Sequence, residues 1–135
     1  IQQGKLGICY VLAGLSALVE SPKRIYDVFI TKETNVAHYY SVKILSRGVW
    51  REVIFDDYIP MIISRGEEEI AFSCGDDEEI WMMILEKAWA KPYGSYSMIE
   101  LGFGEESLHD FTVAPTETAE FKKTKKTADE IWEII

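Results

Sequence analysis

Apolar and polar residues alternate along the chain in patterns that predict several short helices. The uncharged run at residues 9–19 predicts a buried helix, which ends before Pro22 because proline disfavours helical conformation in the residue preceding it. Shorter patterns predict helices at 23–29 and 105–110. Residues 78–91 predict the clearest later helix, with acidic residues at its start and lysines near its end, as the helix dipole favours. Its apolar stripe consists of Ile80, Ile84, Leu85, Ala88 and Trp89.

Strand-like patterns occupy the middle of the chain. Residues 39–45 and 49–56 are rich in β-branched and aromatic residues and predict a hairpin, in which Val53 and Phe55 share a face. Residues 70–73 predict a third strand, which would complete a small antiparallel sheet covered by helices. The acid pair at the end of the hairpin, Asp56 and Asp57, is expected to accept hydrogen bonds from turn N–H groups.

Chain length and composition favour one α+β domain. The 135 residues are 47% hydrophobic and 27% charged, so a packed core is expected and extensive disorder is not. The domain is predicted to cover residues 1–121. Residues 122–135 are interpreted as a basic, solvated linker followed by the start of another helix at 127–135, and both chain ends look like cut ends.

Charge and cysteine content exclude several classes of protein. A net charge of −9 argues against a nucleic-acid partner, because phosphate binding needs a basic surface. No apolar run is long enough to predict a transmembrane segment. Cys9 and Cys74 could pair in a secreted protein but are too few for a disulfide framework; if they act as thiols, a reducing, cytoplasmic location is expected.

The candidate chemistry lies at the start of the chain, where Cys9 falls in the first turn of the first predicted helix. A helix N-terminus lowers the pKa of a thiol placed there, and the thiolate is the nucleophile. Gln3, six residues earlier, can donate a hydrogen bond to an oxyanion. With Tyr10 directly after the cysteine, this arrangement is typical of papain-type cysteine proteases. The alternative is that Cys9 is a small residue of the core.

Five collinear blocks resemble the catalytic core of the calpains, the calcium-dependent papain-like proteases. Residues 3–13 resemble the family's Gln-Gly-x-Leu-Gly-Asp-Cys-Trp block, and residues 48–60 resemble its Gly-x-Trp-x-x-Val-x-Val-Asp-Asp block. Residues 79–91 are similar to its Glu-Phe-Trp-x-x-Leu-Leu-Glu-Lys-Ala block, and 94–96 and 108–112 match later pieces. The resemblance implies the first subdomain of a papain-like calpain protease core, in which a helix carries the cysteine.

The resemblance also implies roles for particular residues. Cys9 would be the nucleophile, and Gln3 with the Cys9 backbone N–H would form the oxyanion hole. Glu79 would be a calcium ligand, with its partner ligands upstream of Gln3; the alternative is an ordinary acid near a helix N-terminus. Protein substrates and a second protease-core subdomain are the implied partners.

The histidine and asparagine that complete a calpain site are not expected in this chain. Its histidines, His38 and His109, and its one asparagine, Asn35, lie outside the family's motifs. Ile8 replaces the usual Asp before the cysteine, and residues 113–114 replace a Gly-Gly pair. Three hypotheses therefore stay open: half of a calcium-regulated endopeptidase, a non-catalytic calpain-like module with a scaffolding or calcium-responsive role, or a small interaction domain with Cys9 in its core.

Overall fold

The computed structural model describes residues 1–75, 79–117 and 125–133. Within these ranges helices and short antiparallel strands alternate, as expected for an α+β fold. In chain order the elements are α1 (Cys9–Val19), α2 (Pro22–Val28), β1 (Tyr39–Ser46), β2 (Val49–Asp56), β3 (Met61–Ser64), β4 (Glu67–Ile70), α3 (Trp81–Ala90), α4 (Gly104–Thr112) and α5 (Ala128–Trp132), with 3₁₀ turns at Lys91–Tyr93 and Tyr96–Ile99. None of the described helices is long and apolar enough to span a membrane.

Helix α1 has the predicted bounds and forms the centre of the core. Its buried side chains Val11, Leu12, Leu15 and Leu18 form one stripe along the helix. Helix α1 also packs against α4, and Gly14 permits a very close approach between the two helices. A Cβ at this position would lie 2.5 Å from the Ser107 hydroxyl. Ser107 is fully buried and donates to the Tyr10 carbonyl of α1 at 2.9 Å. The two helices are therefore joined by both packing and a hydrogen bond.

The predicted hairpin is confirmed as β1 and β2, which pair antiparallel from Tyr39 opposite Asp56 to Ser46 opposite Val49. Val53 and Phe55 are buried on the inner face, as the alternation predicted. The chain leaving α2 continues along the other edge of β1, through an isolated bridge between Phe29 and Val42.

The predicted third strand at residues 70–73 is wrong. Strands β3 and β4 instead form a separate hairpin, with Met61 opposite Ile70 and Ser64 opposite Glu67. Residues 71–74 follow this hairpin in irregular conformation and pair with the start of the chain through an isolated bridge between Gln2 and Cys74. The apolar character of Ala71 and Phe72 reflects burial beside that segment.

The later helices agree with the predictions except at their ends. Helix α3 begins at Trp81, and Ile80, which was predicted to lie on its apolar stripe, is 51% exposed. Residues 76–78, at the predicted helix start, lie outside the described residues, as do 118–124 and 134–135. Helices α4 and α5 confirm the two predicted at 105–110 and within 127–135, and the domain boundary at residue 121 stays a prediction.

Candidate active site

Cys9 is the first residue of α1, and its side chain is exposed to solvent. The hypothesis that Cys9 is a core residue is therefore wrong. The preceding Ile8 is 1% exposed and anchors the helix start in the core, while its carbonyl accepts from the Val11 and Leu12 N–H groups. No side chain caps this helix, and no described residue accepts from the Cys9 backbone N–H. A thiol and an unpaired amide donor thus lie at one helix N-terminus.

The segment carrying Gln3 is held against residues 71–74. Gln2 and Cys74 exchange two backbone hydrogen bonds, of 2.8 and 3.0 Å. Gly4 lies so close to Phe72 that a Cβ at this position would be 2.2 Å from the Phe72 carbonyl oxygen. Because any larger residue would collide with backbone there, only glycine allows the chain between Gln3 and the helix to pass this close to Phe72.

Gln3 is exposed and lies in the irregular segment that leads into α1. Its side-chain Nε2 donates to the Leu6 carbonyl at 2.8 Å. A primary amide has two N–H groups, and among the described residues only this acceptor is engaged. Among the described residues, one Gln3 N–H and the Cys9 backbone N–H are therefore left without an acceptor.

Residues 99–102 contact the chain on both sides of Cys9, at Gly7 and at Tyr10. The Leu101 N–H donates to the Gly7 carbonyl at 3.0 Å. The Tyr10 hydroxyl donates to the Ile99 carbonyl at 2.9 Å, and burial raises the pKa of that hydroxyl, which keeps it protonated as a donor. A Cβ on Gly102 would lie 2.6 Å from the Tyr10 ring. The aromatic residue after the cysteine thus packs directly on this loop.

Glu79, the predicted calcium ligand, is exposed just before α3 and accepts from the Trp81 indole N–H at 3.0 Å. Calcium takes six to eight oxygen ligands. Within residues 1–75, 79–117 and 125–133, no three acidic, histidine or cysteine side chains lie close enough to hold a metal. Glu79 is therefore not part of a cluster of three such side chains among the described residues.

Both histidines have partners. His38 Nδ1 lies 2.7 Å from the Asp57 carboxylate, and His109 Nδ1 lies 3.1 Å from the Ala114 carbonyl. Asp56 accepts from the Tyr58 N–H at 3.0 Å, as predicted for an acid that closes a turn. Nothing in these contacts provides a base for Cys9.

One residue that sequence reasoning missed is Glu86, which is 1% exposed on α3. Its Oε2 accepts from the Ser73 N–H at 3.1 Å and from the Ser73 hydroxyl. The signal was present in the sequence, since Glu86 lies at helical spacing from the buried Met82 and Trp89. A charged residue on an apolar stripe indicates a specific buried contact.

An exposed thiol at a helix N-terminus, with amide donors at Cys9 and at Gln3 six residues earlier, supplies the kinds of group that thiol-dependent acyl transfer uses. Comparison with known proteins agrees. The family described as "Calpain family cysteine protease" matches residues 1–135. "Calpain-type cysteine protease DEK1" of Zea mays is 37% identical over 127 residues, 94% of this chain. "Calpain-B" of Drosophila melanogaster is 32% identical over 91% of the chain, and "Calpain-9" of Homo sapiens is 30% identical over all of it.

The chain therefore belongs to the calpain family of cysteine proteases. It spans 6% of the length of the maize relative, 13% of the fly relative and 19% of the human one. Ile8 and Val113 are among the positions that depart from the family pattern quoted above. Ile8 is buried in the core, and Val113 adopts a left-handed conformation with φ 60° at the end of α4, where glycine is the favoured residue.

Proposed function

We propose that this chain contributes the nucleophile and oxyanion donors of a calpain-type cysteine endopeptidase acting on protein substrates. The observation that carries the proposal is the exposed Cys9 at the N-terminus of α1 with an unpaired backbone N–H. Gln3, in the segment that leads into this helix, keeps one amide N–H without an acceptor among the described residues.

In the proposed reaction the Cys9 thiolate attacks a peptide carbonyl carbon, and the carbonyl electron pair moves onto oxygen. Gln3 Nε2–H and the Cys9 N–H donate to this oxyanion. Collapse breaks the C–N bond, and the amine leaves with a proton supplied by a histidine. Water then cleaves the thioester and restores the thiolate, while the histidine removes the proton of the water.

The histidine and its asparagine partner are proposed to come from a second protease-core subdomain. His38 and His109 are engaged with Asp57 and the Ala114 carbonyl, which supports this assignment. The isolated chain is accordingly expected to lack peptidase activity. Cys9-dependent turnover by the isolated 135 residues in a peptide-cleavage assay would contradict this expectation.

The test compares wild type, Cys9→Ala and Cys74→Ala in the longest protein that carries this chain. Cleavage of a fluorescently labelled denatured protein should disappear in Cys9→Ala and persist in Cys74→Ala, the control for the second free thiol. An alkylating probe should label Cys9 faster than Cys74. Cleavage that survives Cys9→Ala would refute the proposal, and complete absence of cleavage in wild type would favour the non-catalytic calpain-like module instead.

Calcium regulation is proposed separately, with Glu79 as one ligand and the remaining ligands upstream of Gln3. Glu79→Gln keeps an acceptor for the Trp81 N–H but removes the charge, so it should weaken calcium binding without disturbing that contact. Titration calorimetry on the longest protein measures the difference. Equal calcium affinity in wild type and Glu79→Gln would remove Glu79 from the ligand set.

A further inference from the structure

The carboxyl group of Glu86 lies buried between α3 and the segment at residues 71–74. Its Oε2 accepts two hydrogen bonds from one residue, the Ser73 N–H and hydroxyl. Its Oε1 is buried without a hydrogen-bond partner among the described residues. The side chains around the small cavity beside it are otherwise apolar: Ile59, Pro60, Ile70, Phe72 and Met83.

Burying a carboxyl group in apolar surroundings is unfavourable unless it is paired, and no described cation pairs with Glu86. Burial accordingly raises the pKa of this carboxyl. An apolar side chain at this position would avoid that cost. What the carboxyl provides, and an apolar residue cannot, is a fixed conformation for Ser73 through two hydrogen bonds.

Ser73 lies between the two residues that hold the Gln3 segment. On one side, the Phe72 carbonyl lies against Gly4; on the other, Cys74 exchanges two backbone hydrogen bonds with Gln2. Gln3 is thus bracketed by both contacts. A displacement of Ser73 would move its two neighbours and, with them, the chain that carries the Gln3 amide.

We propose that Glu86 is a positioning residue for the oxyanion donor: by anchoring Ser73 it fixes the segment at 71–74, which in turn fixes the backbone on both sides of Gln3. This inference rests on the proposed function of Gln3. It concerns the placement of the amide and not the nucleophile, because Cys9 is anchored independently by Ile8 in the core.

The first test is a double-mutant cycle between Glu86→Leu and Gln3→Ala in the longest protein that carries this chain. Gln3→Ala should lower kcat roughly 100-fold or more. Glu86→Leu should lower kcat roughly 10- to 100-fold with little change in KM, because the donor is misplaced. The double variant should be no slower than Gln3→Ala alone. Multiplying effects would instead mean that Glu86 acts elsewhere, and would overturn the proposal.

Two further variants separate positioning from general destabilisation. Glu86→Gln keeps an oxygen that can accept from Ser73 and should retain most of kcat. Ile84→Ala, on the same helix and also buried, should reduce stability. Its effect on kcat should show no coupling to that of Gln3→Ala. Should Glu86→Leu not fold, Ser73→Ala removes one of the two hydrogen bonds and should lower kcat by about 10-fold. Wild-type kcat in a folded Glu86→Leu or Ser73→Ala variant would refute positioning.

A third measurement does not depend on catalysis. Hydrogen exchange of the Gln2 and Cys74 amides should speed up at least about 10-fold in Glu86→Leu, relative to the α1 amides, and stay slow in Glu86→Gln and Ile84→Ala. Unchanged protection would overturn the anchoring itself. Absence of Cys9-dependent cleavage in wild type would refute the proposed function and the catalytic part of this inference, while the exchange data decide the anchoring on their own.

Discussion

Leu101 is held in a backbone conformation that side chains disfavour, and relieving it should stabilise the protein. Its φ is 63°, in the left-handed region, and its side chain is 87% exposed. The residue stays there because its N–H donates to the Gly7 carbonyl beside the cysteine turn. Leu101→Gly keeps that N–H and removes the clash between Cβ and backbone.

The magnitude follows from three contributions. A left-handed conformation costs a residue with a Cβ about 1–2 kcal/mol, which glycine recovers. The greater freedom of glycine in the unfolded chain costs about 0.5–1 kcal/mol. Loss of the small buried fraction of the side chain costs about 0.3 kcal/mol. The net gain is about 0.5 kcal/mol in the free energy of unfolding, or about 2 °C in Tm for a chain of this size.

The assay is urea unfolding of Leu101→Gly and Leu101→Ala, because the comparison between them isolates the backbone effect. Alanine loses the same side chain but keeps the strain, so the glycine variant should be the more stable of the two. At Met98, which is 67% exposed in a 3₁₀ turn with negative φ, the order should reverse. A glycine variant less stable than its alanine counterpart at Leu101 would refute the strain.

Two further predictions follow from the core. Gly14→Ala should lower the free energy of unfolding by about 2 kcal/mol, because the new Cβ would collide with the Ser107 side chain between α1 and α4. Ser107→Gly should recover part of that loss in thermal unfolding, and strict additivity of the two changes would contradict the collision. Burial raises the pKa of Glu86, and the hydrogen bonds from Ser73 oppose this only in part. The folded state therefore binds this proton more tightly than the unfolded chain does, so stability declines as pH rises from the ordinary glutamate pKa of about 4.3 towards the raised one. Glu86→Gln lacks this titration, and its stability relative to wild type should increase across that range in urea titrations at several pH values. If the free energy of unfolding of Glu86→Gln minus that of wild type stayed constant or decreased with pH, the raised pKa of Glu86 would be contradicted.

Local signals predicted those elements whose ends are marked in the sequence. Helix α1 could be assigned in full because its apolar run is uninterrupted and Pro22 ends it. The first hairpin could be assigned because strand alternation continues on both sides of Ser46-Arg47-Gly48. In the structure Arg47 and Gly48 both have positive φ, as a tight hairpin turn requires.

The second hairpin carries the same turn signal and was missed. Ser64-Arg65-Gly66 repeats the first turn, and again Arg65 and Gly66 have positive φ. The strand after it, Glu67–Ile70, is exposed along its whole length and lacks the apolar alternation by which a strand is recognised. The apolar residues that follow resemble a strand in the sequence, although they are buried by contact with the start of the chain. Only the folded structure contains that contact.

The candidate site shows the same division between local and distant information. Cys9 at a helix start and Gln3 six residues earlier could be identified from the sequence because both lie in one short block. The contacts that hold this block come from residues about 70 and 90 positions away, Phe72 and Leu101, and no periodicity links them to it. The position of the block is consequently a property of the tertiary fold.

Because α1 carries Cys9 at its exposed end and forms the centre of the core along its length, stability and site geometry are coupled through this one helix. Gly14→Ala displaces α1 itself and should impair both stability and Cys9-dependent cleavage in the longest protein. Leu101→Gly keeps the backbone N–H that donates to the Gly7 carbonyl and removes an 87% exposed side chain, so it should raise stability without moving the helix. If the cleavage rate changed in proportion to the free energy of unfolding in both variants, the geometry of residues 3–8 would depend on overall stability and not on their specific contacts.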